Sequence, residues 1–154
     1  MAEILLLPFG SAGDVFPFIW LGRQLMARGH RVRMITACLF EEHACKAGLE
    51  FISLGERDEF EAMIRDPRIW KSGIGTKVVF EFAAQSVEPY LAAIESCGKV
   101  DLMLAPVTAF AGRLAREKHG IPLINVHLQP AVFLSVHETP LLHPIVRLLN
   151  KLPV

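Results

Sequence analysis

The chain has 154 residues, enough for one domain with a full core and too few for two ordinary ones. Its 16 basic and 16 acidic residues cancel, which gives no sign of a nucleic-acid partner, and Cys38, Cys45 and Cys97 are odd in number without C-x-x-C spacing, which predicts reduced thiols in a cytoplasmic protein, with no disulfide frame and no zinc site. Apolar residues make up 52% at a mean hydropathy of +0.37, high for a self-contained soluble domain, yet no uninterrupted apolar run nears the roughly 18 residues of a membrane span.

The apolar excess predicts a face covered by something outside this chain, or an apolar binding pocket. The apolar run at 4–9 is short, with Glu3 before it and no basic region, so it reads as a first strand, at 4–7, rather than a signal peptide. After a glycine-bearing turn, Phe18, Ile19, Leu21, Leu25 and Met26 recur at spacings of three and four, predicting a helix that stops at Gly29. Residues 31–36 are a second strand, in which Val32, Met34 and Thr36 alternate with Arg31, Arg33 and Ile35. A short helix at 40–47, closed by Gly48, leads to a third strand at 51–54. A helix at 56–64 ends before Asp66-Pro67, and a long helix spans 76–96 with its kink or break expected at Pro89. A fourth strand at 101–105, a helix at 108–119 capped by Gly120 and a fifth strand at 123–127 complete the succession.

This alternation is the pattern of an α/β, Rossmann-like, doubly wound parallel sheet. Strand-to-helix loops then gather at one carboxyl edge, at 10–16, 37–39, 54–57, 106–108 and 128–137. Residues 1–140 read as the domain. Residues 141–154 begin an apolar, weakly basic helical pattern that stops without a closing element, which predicts a linker or cleft helix leading to a second domain.

The first loop, Gly10-Ser11-Ala12-Gly13-Asp14-Val15-Phe16-Pro17, is the richest in chemistry. A glycine-bearing turn between a buried strand and a helix start collects backbone N–H groups at a positive dipole end, which suits a phosphate. A dinucleotide site needs G-x-G-x-x-G, but two residues separate Gly10 from Gly13, Gly22 lies inside the helix, and strand two ends in Thr36, Ala37 and Cys38 rather than an acid. No Gly-Lys-Ser/Thr follows, which excludes a P-loop. Asp14 remains, either as a general base beside a phosphorylated substrate or as an N-cap bonding the N–H groups of residues 16 and 17, of which Pro17 has none.

That loop, with Arg28-Gly29-His30-Arg31-Val32 and Gly48-Leu49-Glu50-Phe51, resembles the opening of glycosyltransferases of the two-domain GT-B fold, within the family of sterol and antibiotic glucosyltransferases. Asp66-Pro67-Arg68-Ile69-Trp70 and Arg116-Glu117-Lys118-His119-Gly120-Ile121-Pro122 look closest to the rhamnosyltransferase branch of rhamnolipid synthesis. The resemblance implies an N-terminal domain that holds the acceptor. A C-terminal domain, absent from this chain, would bind the nucleotide-sugar, dTDP- or UDP-linked, and reaction would occur in the cleft between them without metal or further cofactor. It also implies an inverting transfer of a sugar, rhamnose included, to a hydroxyl of a lipid-like acceptor, with peripheral association at the inner face of the membrane. The 1–154 segment alone would be inactive.

On that resemblance Asp14 falls where the family places its catalytic base. Ser11 and Gly13 would meet the donor diphosphate or the acceptor, or close a tight turn. His127, Gln129 and Phe133 follow strand five at the cleft edge; His127 reads as an acceptor or diphosphate ligand or as a half-buried structural histidine. Family members with a histidine base orient it by an aspartate after strand four, where this chain has the acid-free Ala105-Pro106-Val107-Thr108. Phe16, Phe18, Val79, Phe80 and Phe82 would wall an acceptor pocket or fill core. His137 and His143 lack metal-ligand spacing, and Arg65, Arg68 and Lys71 form a basic cluster that either meets an acidic acceptor or is simply solvated. Two readings of other classes stay open, a non-catalytic partner subunit of a split glycosyltransferase and a nucleotide-binding regulatory module.

Overall fold

A computed structural model of the chain describes residues 1–71 and 74–129. Five strands form one sheet: β1 (Glu3–Leu6), β2 (Arg31–Ala37), β3 (Glu50–Leu54), β4 (Leu102–Ala105) and β5 (Leu123–Asn125). Every pairing is parallel and the order is β3-β2-β1-β4-β5, the doubly wound arrangement that the strand–helix alternation predicts. The helices are α1 (Ala12–Ala27), α2 (Glu41–Lys46), α3 (Arg57–Arg65), α4 (Gly75–Gln85), α5 (Val87–Ser96) and α6 (Phe110–His119), with 3₁₀ turns at Cys38–Phe40 and Pro67–Trp70.

Successive side chains of a strand point to opposite faces, so a strand buried on both reads as an unbroken apolar run. In β1, Ile4 and Leu6 meet Val15, Phe18 and Ile19 of α1 and Ala44 of α2. Leu5 and Leu7, one residue out of phase, meet Ala83 of α4, Tyr90 and Ile94 of α5 and Ala111 and Ala115 of α6. Gly22 lets α1 lie close on this strand, since a Cβ there would come 2.6 Å from Leu49 Cδ2 and 2.9 Å from Leu6 Cδ1.

Two sequence expectations change. The long helix breaks at Ser86, between α4 and α5, rather than at Pro89. A proline ring clashes with the carbonyl four residues earlier, which is that of Gln85, so the ladder fails one turn upstream; Pro89 itself sits in the first turn of α5, where its missing N–H is harmless. The other change concerns β2, which is covered on both faces, Arg33 included. The Arg33 guanidinium donates to the carbonyls of Cys97 (2.5 Å) and Lys99 (2.8 Å), the carbonyl-rich end of α5, where a cation is favoured.

The chain leaves the sheet at Pro8, and its carbonyl accepts from Thr36 Oγ1 (2.9 Å) and from the Tyr90 hydroxyl (2.8 Å), which also reaches the Ile35 carbonyl (2.7 Å). Leaving that buried carbonyl unpaired would cost about 1–3 kcal/mol. Burial pushes the Tyr90 phenol well above its ordinary value. The unfolded chain therefore releases this proton at about pH 10 while the native one retains it, so stability present below that pH falls as pH rises. Tyr90 is the sole tyrosine of the sequence, so tyrosinate absorbance reports it alone. Alkaline titration should show no ionisation at about pH 11 until the protein unfolds, and Tyr90→Phe should remove that source of alkaline instability at a cost of about 1–2 kcal/mol near neutrality.

Candidate functional site

The strand order reverses between β1 and β4. Their following loops diverge to opposite faces and open a crevice at the carboxyl edge. A cavity of about 80 Å³ lies there, lined by Asp14 from α1, Pro106, Val107 and Thr108 after β4, and Val126, His127, Leu128 and Gln129 after β5. Three of the five edge loops expected from sequence thus meet at one place, and they bring Asp14, His127 and Gln129 together.

Asp14 is half-buried and occupies the third position of α1, with Ser11 as the N-cap. The cap is therefore three residues earlier than the capping alternative for Asp14 supposed. The carboxylate oxygen Oδ2 accepts from the Ser11 N–H (2.8 Å) and from the Ser11 hydroxyl (3.0 Å), and the Asp14 N–H donates to the Ser11 carbonyl (2.9 Å). Gly10 shapes the turn in two ways. Its φ of +130° disfavours any side chain, and a Cβ there would collide with Asp14 Oδ2. Gly13 has ordinary space, since a Cβ there would lie 3.8 Å from Ser11 Oγ.

The other candidates lie elsewhere. Phe16 is two residues beyond Asp14, roughly 200° round the helix, and so faces α2 rather than the cavity. It is 44% exposed, edge-on to Phe40 (6.1 Å between centroids) and 5.2 Å from the His43 ring. Phe80 is 50% exposed and stacks on Phe110 (6.1 Å, 24°), at the start of the helix that follows Thr108; it does not line the cavity. Phe82 packs into the core between Phe9 (5.8 Å) and Phe60 (5.2 Å), and Phe18 is fully buried. His127 and Gln129 are both exposed at the rim, so His127 lines the cavity and is not the half-buried structural histidine of the alternative reading. Phe133, His137, His143 and the 140/141 boundary lie outside the described residues.

Two members of the basic cluster, Arg65 and Arg68, are engaged in ion pairs. Arg65 meets Glu61 (2.9 Å) and Arg68 meets Asp66 (2.6 Å), whose carboxyl it holds below the ordinary range by hydrogen bonding. Among the described residues, no three His, Cys, Asp or Glu side chains gather as a metal site requires, and no helix is long and apolar enough to cross a membrane. Val107, Thr108 and Leu128 line the cavity although the sequence pattern does not mark them as site residues. Their only signal is their place directly after β4 and β5, which means little until β4 is known to pair with β1.

Residues 4–137 match the glycosyltransferase family 28 N-terminal domain. The chain belongs to that family. It is 32% identical over 127 residues to a sterol 3-beta-glucosyltransferase of Pichia angusta, a match covering 81% of this chain and 10% of that protein. Among solved structures, the calicheamicin glycosyltransferase CalG4 superposes at a TM-score of 0.65 with 25% identity, over 81% of this chain and 32% of that one. The glycosyltransferase SnogD of Streptomyces nogalater does so at 0.68 with 23% identity, over 85% and 36%. The family 28 N-terminal domain thus spans about a tenth of the curated relatives' length and about a third of the structural neighbours'. These matches agree with the GT-B resemblance and with the fold.

In this glycosyltransferase domain Gly10→Ala should lower unfolding free energy by about 1–3 kcal/mol, combining strain at positive φ with displacement of Asp14. Gly13→Ala, inside the helix and with room for its methyl, should be neutral or slightly stabilising. Urea unfolding of the two variants compares them directly.

Proposed function

We propose that this chain is the acceptor-binding half of an inverting glycosyltransferase, with Asp14 as the general base. The reaction moves a hexose or deoxyhexose, rhamnose among them, from a dTDP- or UDP-linked donor to the hydroxyl of an apolar acceptor. A C-terminal partner domain supplies most of the donor site. The observation that carries this reading is the Asp14 carboxylate, oriented by Ser11 on one oxygen, at the wall of a cavity at the switch point of the sheet.

The acceptor O–H gives its proton to Asp14 as its oxygen bonds to the sugar C1. The bond from C1 to the diphosphate oxygen breaks, and the nucleoside diphosphate leaves with the electron pair. One displacement inverts C1. The β4 loop holds no acid that could orient a histidine base, and Asp14, a carboxylate already fixed by Ser11, needs none. Val107 (40% exposed) and Leu128 give the cavity an apolar rim, which supports an apolar acceptor, and the sterol glucosyltransferase relatives support a rigid apolar alcohol among the candidates. A lipid acceptor would bring the enzyme to the inner face of the membrane.

The test uses the protein with its C-terminal half, offering UDP-glucose and dTDP-rhamnose, each with a 3β-hydroxysterol and with a long-chain alkyl alcohol, and following glycoside by mass spectrometry. Asp14→Asn should cut turnover by about 10²-fold or more with the melting temperature retained, because the amide oxygen can still accept from Ser11. Turnover that survives this change would remove Asp14 as the base.

A further inference from the structure

We infer that Ser11 is a positioning residue for the glycosyl transfer, acting through Asp14 and making no required contact with donor or acceptor. The inference rests on the proposed role of Asp14 as base. In a capping box the serine hydroxyl need only accept from the helix; here it also donates to the carboxylate, 3.0 Å from Oδ2, while the Ser11 N–H donates to the same oxygen at 2.8 Å. Two donors on one oxygen fix the plane of the carboxylate and leave Oδ1 as the oxygen that takes the acceptor's proton.

The hydroxyl's surroundings hold it to this role. Gly10 has no side chain to separate the loop from Asp14, and any Cβ there would collide with Oδ2. Behind the loop, the Pro8 carbonyl is clamped by Thr36 and Tyr90, both buried, so the chain enters the turn from a fixed point. Ser11 itself is exposed and is not among the residues lining the Asp14 cavity, whereas Asp14 is. A serine outside the cavity wall reaches the reacting atoms through the carboxylate it holds.

The experiment measures steady-state kinetics of Ser11→Ala and Ser11→Thr in the protein with its C-terminal half, on whichever of the four donor–acceptor pairs above it turns over fastest. Ser11→Ala should lower kcat by about tenfold with both KM values nearly unchanged, as expected for losing one hydrogen bond to a charged group. Ser11→Thr keeps the hydroxyl and should restore kcat. In the Asp14→Asn background, Ser11→Ala should cost nothing further, since residues acting as a unit are not additive.

A raised donor KM with kcat intact would make Ser11 a substrate ligand and overturn the inference. An unchanged kcat would also overturn it, leaving the serine a helix cap alone. Either result leaves Asp14 as the base if Asp14→Asn is inactive. If Asp14→Asn stays active, or if no pair is turned over, the reading of the site falls and this inference falls with it.

Discussion

The carbonyl of Pro8 is where the sheet ends and the site begins. It leaves the ladder in a buried place where a polar group without a partner would destabilise the fold, and two side chains from different elements meet it. Thr36 comes from the end of β2 and Tyr90 from α5, so this one acceptor ties the central strand to its neighbour and to the helix layer beyond. Tyr90 lies 55 residues from Ile35 and 82 from Pro8 in sequence, and its hydroxyl serves both carbonyls. The Gly10 turn, the capping serine and Asp14 all follow within six residues of that anchor.

From there the geometry of a parallel sheet does the rest. Because β1 and β4 are neighbours whose exits diverge, the loop carrying Asp14 and the acid-free loop after β4 face each other across a gap rather than packing together. β5 lies beyond β4 in the same direction and brings His127 and Gln129 to the rim. The polar side chains at the cavity thus come from three elements that share nothing locally. Opposite the site, Arg33 satisfies carbonyls at the end of α5, so α5 is tied to the sheet by Tyr90 in its first half and Arg33 at its end.

The apolar excess of the composition divides between places. Core on both faces of β1 takes most of it, and large exposed apolar residues remain at Val107 and Leu128 on the cavity rim, at Phe80 beside Phe110, and at Phe16 and Trp20 along α1. Helical phase separates the last pair from Asp14, although Phe16 is only two residues away in the chain. Nearness in sequence misled there, because a helix turns neighbours to different faces.

The sequence by itself determined the class of sheet, the sites of its edge loops and the acid, Asp14, that the first loop carries. Those depend on local periodicity, on glycine spacing and on a motif confined to eight consecutive residues, all of which a linear reading can weigh. It also foresaw a break in the long helix, misplacing it only because a proline acts on the carbonyl four residues before it. Only the tertiary structure decided which loops meet, that Phe16 faces away, and that Thr36 and Tyr90 hold the turn in place. Each of these depends on contacts between residues far apart in the chain or on the rotation of a side chain about its helix. Strand order fixes such contacts, and the order β3-β2-β1-β4-β5 is set by packing of the whole domain, which no local run of residues encodes.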